Sequence, residues 1–166
     1  MKCEKCIANI PLDAKFCPNC GEKVQMFNEE IKGNEIRLEW LIELFKKIGF
    51  EVDVNSNGDS FLGEHKDSYN FDVNLNISLK VITISSHFPM KQRNISDVNK
   101  LQDAVAKANS LSILGIFSLS DNNKLLKITT HINLTELLIE RDIVVYLDIF
   151  EKNVIQLMEN LEIMDI

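Results

Sequence analysis

Residues 69–81 read Tyr69-Asn70-Phe71-Asp72-Val73-Asn74-Leu75-Asn76-Ile77-Ser78-Leu79-Lys80-Val81, an almost unbroken apolar–polar alternation. A period of two is the mark of extended chain with one face buried and one face wet. Tyr69, Phe71, Val73, Leu75, Ile77, Leu79 and Val81 form the apolar phase; Asn70, Asp72, Asn74, Asn76, Ser78 and Lys80 form the polar one. The run exceeds one ordinary strand, so it reads as a hairpin turning near Asn76-Ile77-Ser78. Val81-Ile82-Thr83-Ile84 continues the second arm and Pro89 stops it. Upstream, Phe50–Val54 alternates in the same way, Asn55-Ser56-Asn57-Gly58-Asp59 is a turn cluster, and Phe61–His65 suits another short strand.

Helical periodicity brackets this strand region. Ile36, Trp40, Leu41, Leu44, Phe45 and Ile48 lie on one stripe, with Asn34 as the expected N-cap and Gly49 at the C-terminal end. A second helix is expected after Asn94-Ile95-Ser96-Asp97, capped by Ser96 or Asn94. Its stripe of Val98, Leu101, Val105 and Ala108, with Ala104 beside it, suits either the chain's own core or a homodimer seam. Leu111–Ser120 and Lys124–Leu134 read as strands around Asp121-Asn122-Asn123. A final helix, with Thr135 as N-cap, is expected to run to about Met164. Leu138, Val145, Leu147, Val154, Leu157, Met158 and Leu161 are among its apolar positions, and its acids exceed Arg141 and Lys152 by six. The resulting order, α-β-β-β-α-β-β-α, is α+β: a helix-flanked antiparallel sheet.

The four cysteines, Cys3, Cys6, Cys17 and Cys20, all precede this region. Two C-x2-C turns can aim four thiolates at one tetrahedral ion, so these residues are the expected ligands of a single structural Zn2+. Two disulfides would require an oxidising compartment, and a thioredoxin-like motif would require a βαβ context. Pro18 presets the second turn and Gly21 can adopt the left-handed conformation there. Ile7, after Cys6, suits the equivalent place poorly. A segment this short cannot bury a sufficient core, so the metal would supply most of its folding energy, on the order of 10 kcal/mol. Four thiolates leave no position for water, which points to a structural site rather than a catalytic one.

Residues 3–24, with Ile10-Pro11-Leu12-Asp13-Ala14-Lys15-Phe16 leading into Cys17-Pro18-Asn19-Cys20-Gly21, resemble the short bacterial and archaeal zinc-ribbon family, departing from it mainly at Ile7. The expected organisation is a zinc ribbon at 1–25, a linker at 26–34 in which Met26, Phe27 and Ile31 could dock on a neighbour, and an α+β domain at 35–166. That domain resembles the YbjN-like family of bacterial sensory-transduction regulators, whose fold is related to type III secretion chaperones. The resemblance rests on Trp40-Leu41, on the Val98-to-Asn109 helix, and on Ile113-Leu114-Gly115-Ile116-Phe117-Ser118-Leu119 before the long last helix. It implies a non-enzymatic, protein-binding domain, dimeric through the middle helix.

Composition bounds the function. The chain has 166 residues, 45% of them apolar, and a net charge of −7, which is globular and disfavours a general nucleic-acid binder. Residues 1–34 hold five lysines and five acids, so the ribbon is neutral and lacks a basic patch. No apolar run suits a membrane span and the start has no signal-peptide pattern, which predicts a cytoplasmic protein. No nucleophile elbow, phosphate loop or histidine metal motif occurs, and His65, His87 and His131 are isolated in sequence. The expectation is an adaptor, chaperone-like or regulatory protein that binds another protein and carries no catalytic residues. The alternative is a transcription- or nucleic-acid-associated regulator using the ribbon as its contact. An enzyme built on His87 or His131 would need both near carboxylates in one pocket.

Overall fold

The computed structural model describes residues 3, 5, 6, 8, 10, 14–24, 30–66, 69–89, 98–120, 125–134 and 137–161. Its main body is an antiparallel sheet of six strands with helices on one face. In chain order the elements are β1 (Glu30–Lys32), α1 (Leu38–Lys47), β2 (Glu51–Val54), β3 (Ser60–Glu64), β4 (Phe71–Asn76), β5 (Val81–Pro89), α2 (Val98–Leu111), β6 (Ile116–Ser120), β7 (Leu125–Asn133), β8 (Leu137–Ile139) and α3 (Glu140–Leu161). The sheet order is β2-β3-β4-β5-β7-β6, so β7 lies between β5 and its own hairpin partner β6. The architecture is α+β, with four strands between the first two helices rather than the three expected.

The fourth strand is the second arm of the hairpin expected within the alternating run. That run divides into β4 and β5 around a turn at 77–80, where Leu79 N–H donates to Asn76 Oδ1 and Lys80 adopts a left-handed φ of 53°. Phe71, Val73 and Leu75 are buried as expected, but Ile77 and Leu79 are 58% and 74% exposed. The register explains why: Asn76 faces Val81, so both point outward, while Leu75 faces the buried Ile82 and Val73 the buried Ile84. Cross-strand partners share a face, so the inward phase changes from odd to even numbers through the turn.

Helix α1 buries Leu38, Leu41, Leu44 and Phe45. Its N-cap is Arg37, which makes no side-chain cap bond, and not Asn34, which lies in a turn. Gly49 follows the helix with φ +99°, as its position suggested. Phe45 meets Phe50 and Phe61 edge-on at centroid distances of 5.2 and 5.1 Å, and Phe71 connects this cluster to Phe150 of α3. Gly63 of β3 makes room for it, because a Cβ there would stand 3.2 Å from both Phe45 and Phe50.

In α2, Leu101 and Ala108 are buried in the chain's own core, with Ala104 and Val105 half-buried against it. The side chain of Val98 and the expected caps Asn94 and Ser96 lie outside the described residues. Helix α2 extends through Leu111, and β6 starts only at Ile116, later than the alternation suggested. The strands on either side of Asp121-Asn122-Asn123 pair antiparallel from Ser120–Leu125 onward, the turn itself being outside the described residues, as Thr135 is.

Helix α3 begins at Glu140 and buries Ile143, Leu147, Phe150 and Val154. Leu138 belongs instead to β8, which pairs antiparallel with β1 in a second, two-stranded sheet. Part of the stretch expected to be linker is therefore strand, and Ile31 packs against the main core. Three-residue strands carry too few alternations to be seen as a pattern. At the same end, Lys47 Nζ meets the buried Glu140 carboxylate at 2.6 Å, tying the last turn of α1 to the first of α3.

Candidate metal centre and the open sheet face

The four cysteines come together. Every ligand sulfur of Cys3, Cys6, Cys17 and Cys20 lies within 4.8 Å of the others. The Sγ–Sγ distances are 3.6 Å for both Cys3–Cys20 and Cys6–Cys17. Bonds of ~2.3 Å in a tetrahedron put sulfurs ~3.8 Å apart, so the set has the size of one four-coordinate ion.

The two turns use the same backbone bonds. Cys3 N–H donates to Ala8 C=O at 2.9 Å, and Cys17 N–H donates to Glu22 C=O at 2.7 Å, the same five-residue step in each half. The backbone N–H groups of Ala8 and Glu22 in turn donate to the sulfurs of Cys6 and Cys20. The first knuckle thus has the bonding of the second, although Ile7, which lies outside the described residues, stands where a glycine was expected. Gly21 has φ +71° and donates to Cys17 C=O at 2.9 Å. Phe16 and Lys23 form an isolated antiparallel bridge between the two arms of the second knuckle, and Cys3, Ile10, Cys17 and Val24 make a small buried cluster of their own.

Neighbouring donors set the electrostatics of the thiols. The Asn19 amide donates to Cys6 Sγ at 3.5 Å and, with the Ala8 N–H, lowers that thiol to about 6. For Cys20, the Glu22 N–H also favours the thiolate, but desolvation and the crowd of nearby sulfurs outweigh it and push the thiol up to about 12. One proton is easily lost and another tightly held, which is how mutually repelling thiolates behave until a cation neutralises them. The sequence pattern gives Asn19 no role beyond its place inside the second C-x2-C turn.

The histidines do not converge. His65 packs against Phe50 and close to Gly49. His87 Nδ1 and Asp72 Oδ2 are 3.0 Å apart across β5 and β4, whereas His131 Nδ1 pairs with Thr83 Oγ1 at 3.1 Å. His87 stands opposite Lys127 and His131 opposite Thr83, so along the strands they lie four residues apart. Both belong to the sheet face away from the helices. That face also carries a shallow depression of about 410 Å³, lined by polar groups such as Asp53, Asp72, Thr83, Ser85 and Lys127. Among the described residues no helix is long and apolar enough to cross a membrane.

This architecture has relatives of known structure. YbjN of E. coli, a transcription regulator by provisional assignment, superposes with a TM-score of 0.58 at 12% identity, covering 79% of this chain and 97% of that one. An uncharacterised protein from Methanothermobacter thermautotrophicus superposes with a TM-score of 0.56 at 11% identity, covering 75% of this chain and 95% of the other. The larger domain has the YbjN-like fold. No family model matches the sequence, and no curated protein matches it either. At such identities the likeness is one of fold, which the YbjN-like domain shares without sharing YbjN's side chains. The protein thus joins four cysteines placed to hold one metal ion to a domain of YbjN-like fold.

Proposed function

We propose that the protein is a non-enzymatic cytoplasmic adaptor, in which a structural zinc ribbon stands beside a YbjN-like domain that binds another protein. The observation carrying this reading is the closed sulfur cluster: four thiolates on one ion leave it no position for substrate or water, so the metal shapes a surface. Zinc is the ion proposed because all-thiolate tetrahedral sites suit it, and reduced thiols fit a reducing compartment. The YbjN-like domain supports a regulatory role through its structural neighbour, and its half-open sheet leaves a polar face for a partner.

The test is affinity capture from the native host with wild type and the Cys17→Ser/Cys20→Ser variant, beside metal analysis of both. One zinc per wild-type chain and a stoichiometric protein partner are expected. Loss of that partner in the variant assigns recognition to the ribbon, and its retention assigns it to the YbjN-like domain. Turnover of a substrate by the zinc-loaded protein would overturn the non-enzymatic reading. The description of YbjN as a transcription regulator favours one alternative, with the ribbon contacting nucleic acid. Salt-sensitive DNA or RNA binding that disappears on deleting residues 1–24 would establish it, against the acidic balance of the chain.

A further inference from the structure

A six-stranded open sheet has two edges, and each presents backbone donors and acceptors that a strand from another molecule could pair with. Here the edges are β2 and β6. Strand β2 is four residues long and carries Glu51 and Asp53, which already discourages pairing. Strand β6, Ile116-Phe117-Ser118-Leu119-Ser120, has no charged residue. It is the edge that most needs another form of protection.

That protection comes from α2. Asn109, in the last turns of the helix, donates from Nδ2 to Phe117 C=O at 2.9 Å and accepts from Phe117 N–H at Oδ1 at 2.7 Å. One side-chain amide thus satisfies both backbone groups of one edge residue, as the peptide group of a neighbouring strand would. Antiparallel strands direct alternate residues toward and away from their partner, so Phe117 points its polar groups away from β7 and into the position a new strand would take. Leu119 is the next residue of that outward set. One position before β6, the Gly115 carbonyl accepts from Ser112 Oγ at 2.9 Å, and Ser112 Oγ also meets Asn153 of α3 at 3.2 Å. The end of α2 is therefore anchored where it must be to hold Asn109 against the strand.

From this geometry we infer that Asn109 is a strand mimic that seals the β6 edge against strand addition by a second copy of this chain. The occupant excluded is a second copy because β6 is identical in every molecule and its central register, Phe117-Ser118-Leu119, carries no charge that would repel its own copy. Asn109 is exposed on α2 and adds little to the core, so its role lies at the edge.

Two measurements test the seal. In wild type, amide hydrogen exchange is expected to be at least about tenfold slower at Phe117 than at Leu119, although both N–H groups point away from β7. Equal exchange at the two positions would overturn the proposal. Asn109→Ala, folded by far-UV circular dichroism, is expected to sediment as larger species than wild type in a concentration-dependent way. Adding Leu119→Pro, which deletes an outward N–H and no ladder bond to β7, is expected to restore the wild-type distribution. A folded Asn109→Ala that sediments like wild type at every concentration overturns the inference, as does association that Leu119→Pro leaves intact. If Asn109→Ala does not fold, Asn109→Asp takes its place: it keeps the acceptor for Phe117 N–H but sets a carboxylate against Phe117 C=O, and the same sedimentation outcomes decide.

Discussion

At single residues, the chemistry of the metal centre reduces to competition between protons and a cation. The Cys20 thiol is pushed up to about 12 and the Cys6 thiol lowered to about 6, so near neutral pH an incoming ion finds some sulfurs still protonated and must displace those protons. Affinity therefore falls as pH falls, by about tenfold per pH unit for each proton displaced. Competition with a chromophoric chelator between pH 6 and 8 measures this slope, and a flat profile would mean that the thiols are not the ligands. Gly115 supports a second prediction. It has φ +114°, and a Cβ there would lie 2.8 Å from a ring carbon of Phe150, one of the fully buried side chains. Gly115→Ala combines backbone strain with overpacking and is expected to cost about 2–3 kcal/mol in urea unfolding. The Gly58→Ala variant, in the turn before β3 with φ +70° and a Cβ that meets nothing within 4 Å, measures the cost of strain alone within the same domain.

At the scale of elements, the most consequential contact joins the end of α1 to the start of α3. Lys47 and Glu140 meet at 2.6 Å with side-chain exposures of 24% and 5%, and each charge also suits the helix terminus it occupies. Lys47→Met removes the Lys47 cation from beside the buried Glu140 carboxylate and is expected to destabilise the protein by about 2–3 kcal/mol, toward the lower side of the range for buried pairs because Lys47 retains some water contact. A double-mutant cycle with Glu140→Gln checks it: a coupling below about 0.5 kcal/mol would reduce the pair to a surface contact. Nothing in the sequence announces a bond between residues 93 apart. What the sequence does announce is local. The alternation in β4, the stripe of α1 and the turn at Asn55–Asp59 were legible because each follows from its own neighbours; in that turn Asn55 Oδ1 accepts from Gly58 N–H at 2.8 Å. Reading failed where a local rule was carried past its domain. A period of two does not carry its phase through the turn at 77–80, and Asn34 has the residue type of a cap although the backbone becomes helical only after Arg37. The four cysteines were legible for the opposite reason: paired spacing leaves few geometries open.

At the scale of the molecule, two buried clusters stand apart. Cys3, Ile10, Cys17 and Val24 form one, and the sheet and its helices form the other. The first contains two cysteines among its four buried residues and is too small to hold together by apolar burial, whereas the second has more than twenty buried side chains and no need of an ion. The two should therefore respond differently to metal removal. Trp40, the sole tryptophan, packs on α1 against the larger core and reports on that core alone. Treatment with a strong zinc chelator is expected to release one ion per chain and collapse the NMR dispersion of residues 3–24. The melting midpoint followed by Trp40 fluorescence is expected to move by less than about 2 °C, because no stabilising term of the larger core is lost. A fall of 5 °C or more would mean that the ribbon contributes stability across the short connection from Val24 to β1, whose partner β8 leads directly into α3 and Glu140. In that event metal loading would reach the Lys47–Glu140 end of the YbjN-like domain, and the Lys47→Met variant should no longer respond to the chelator.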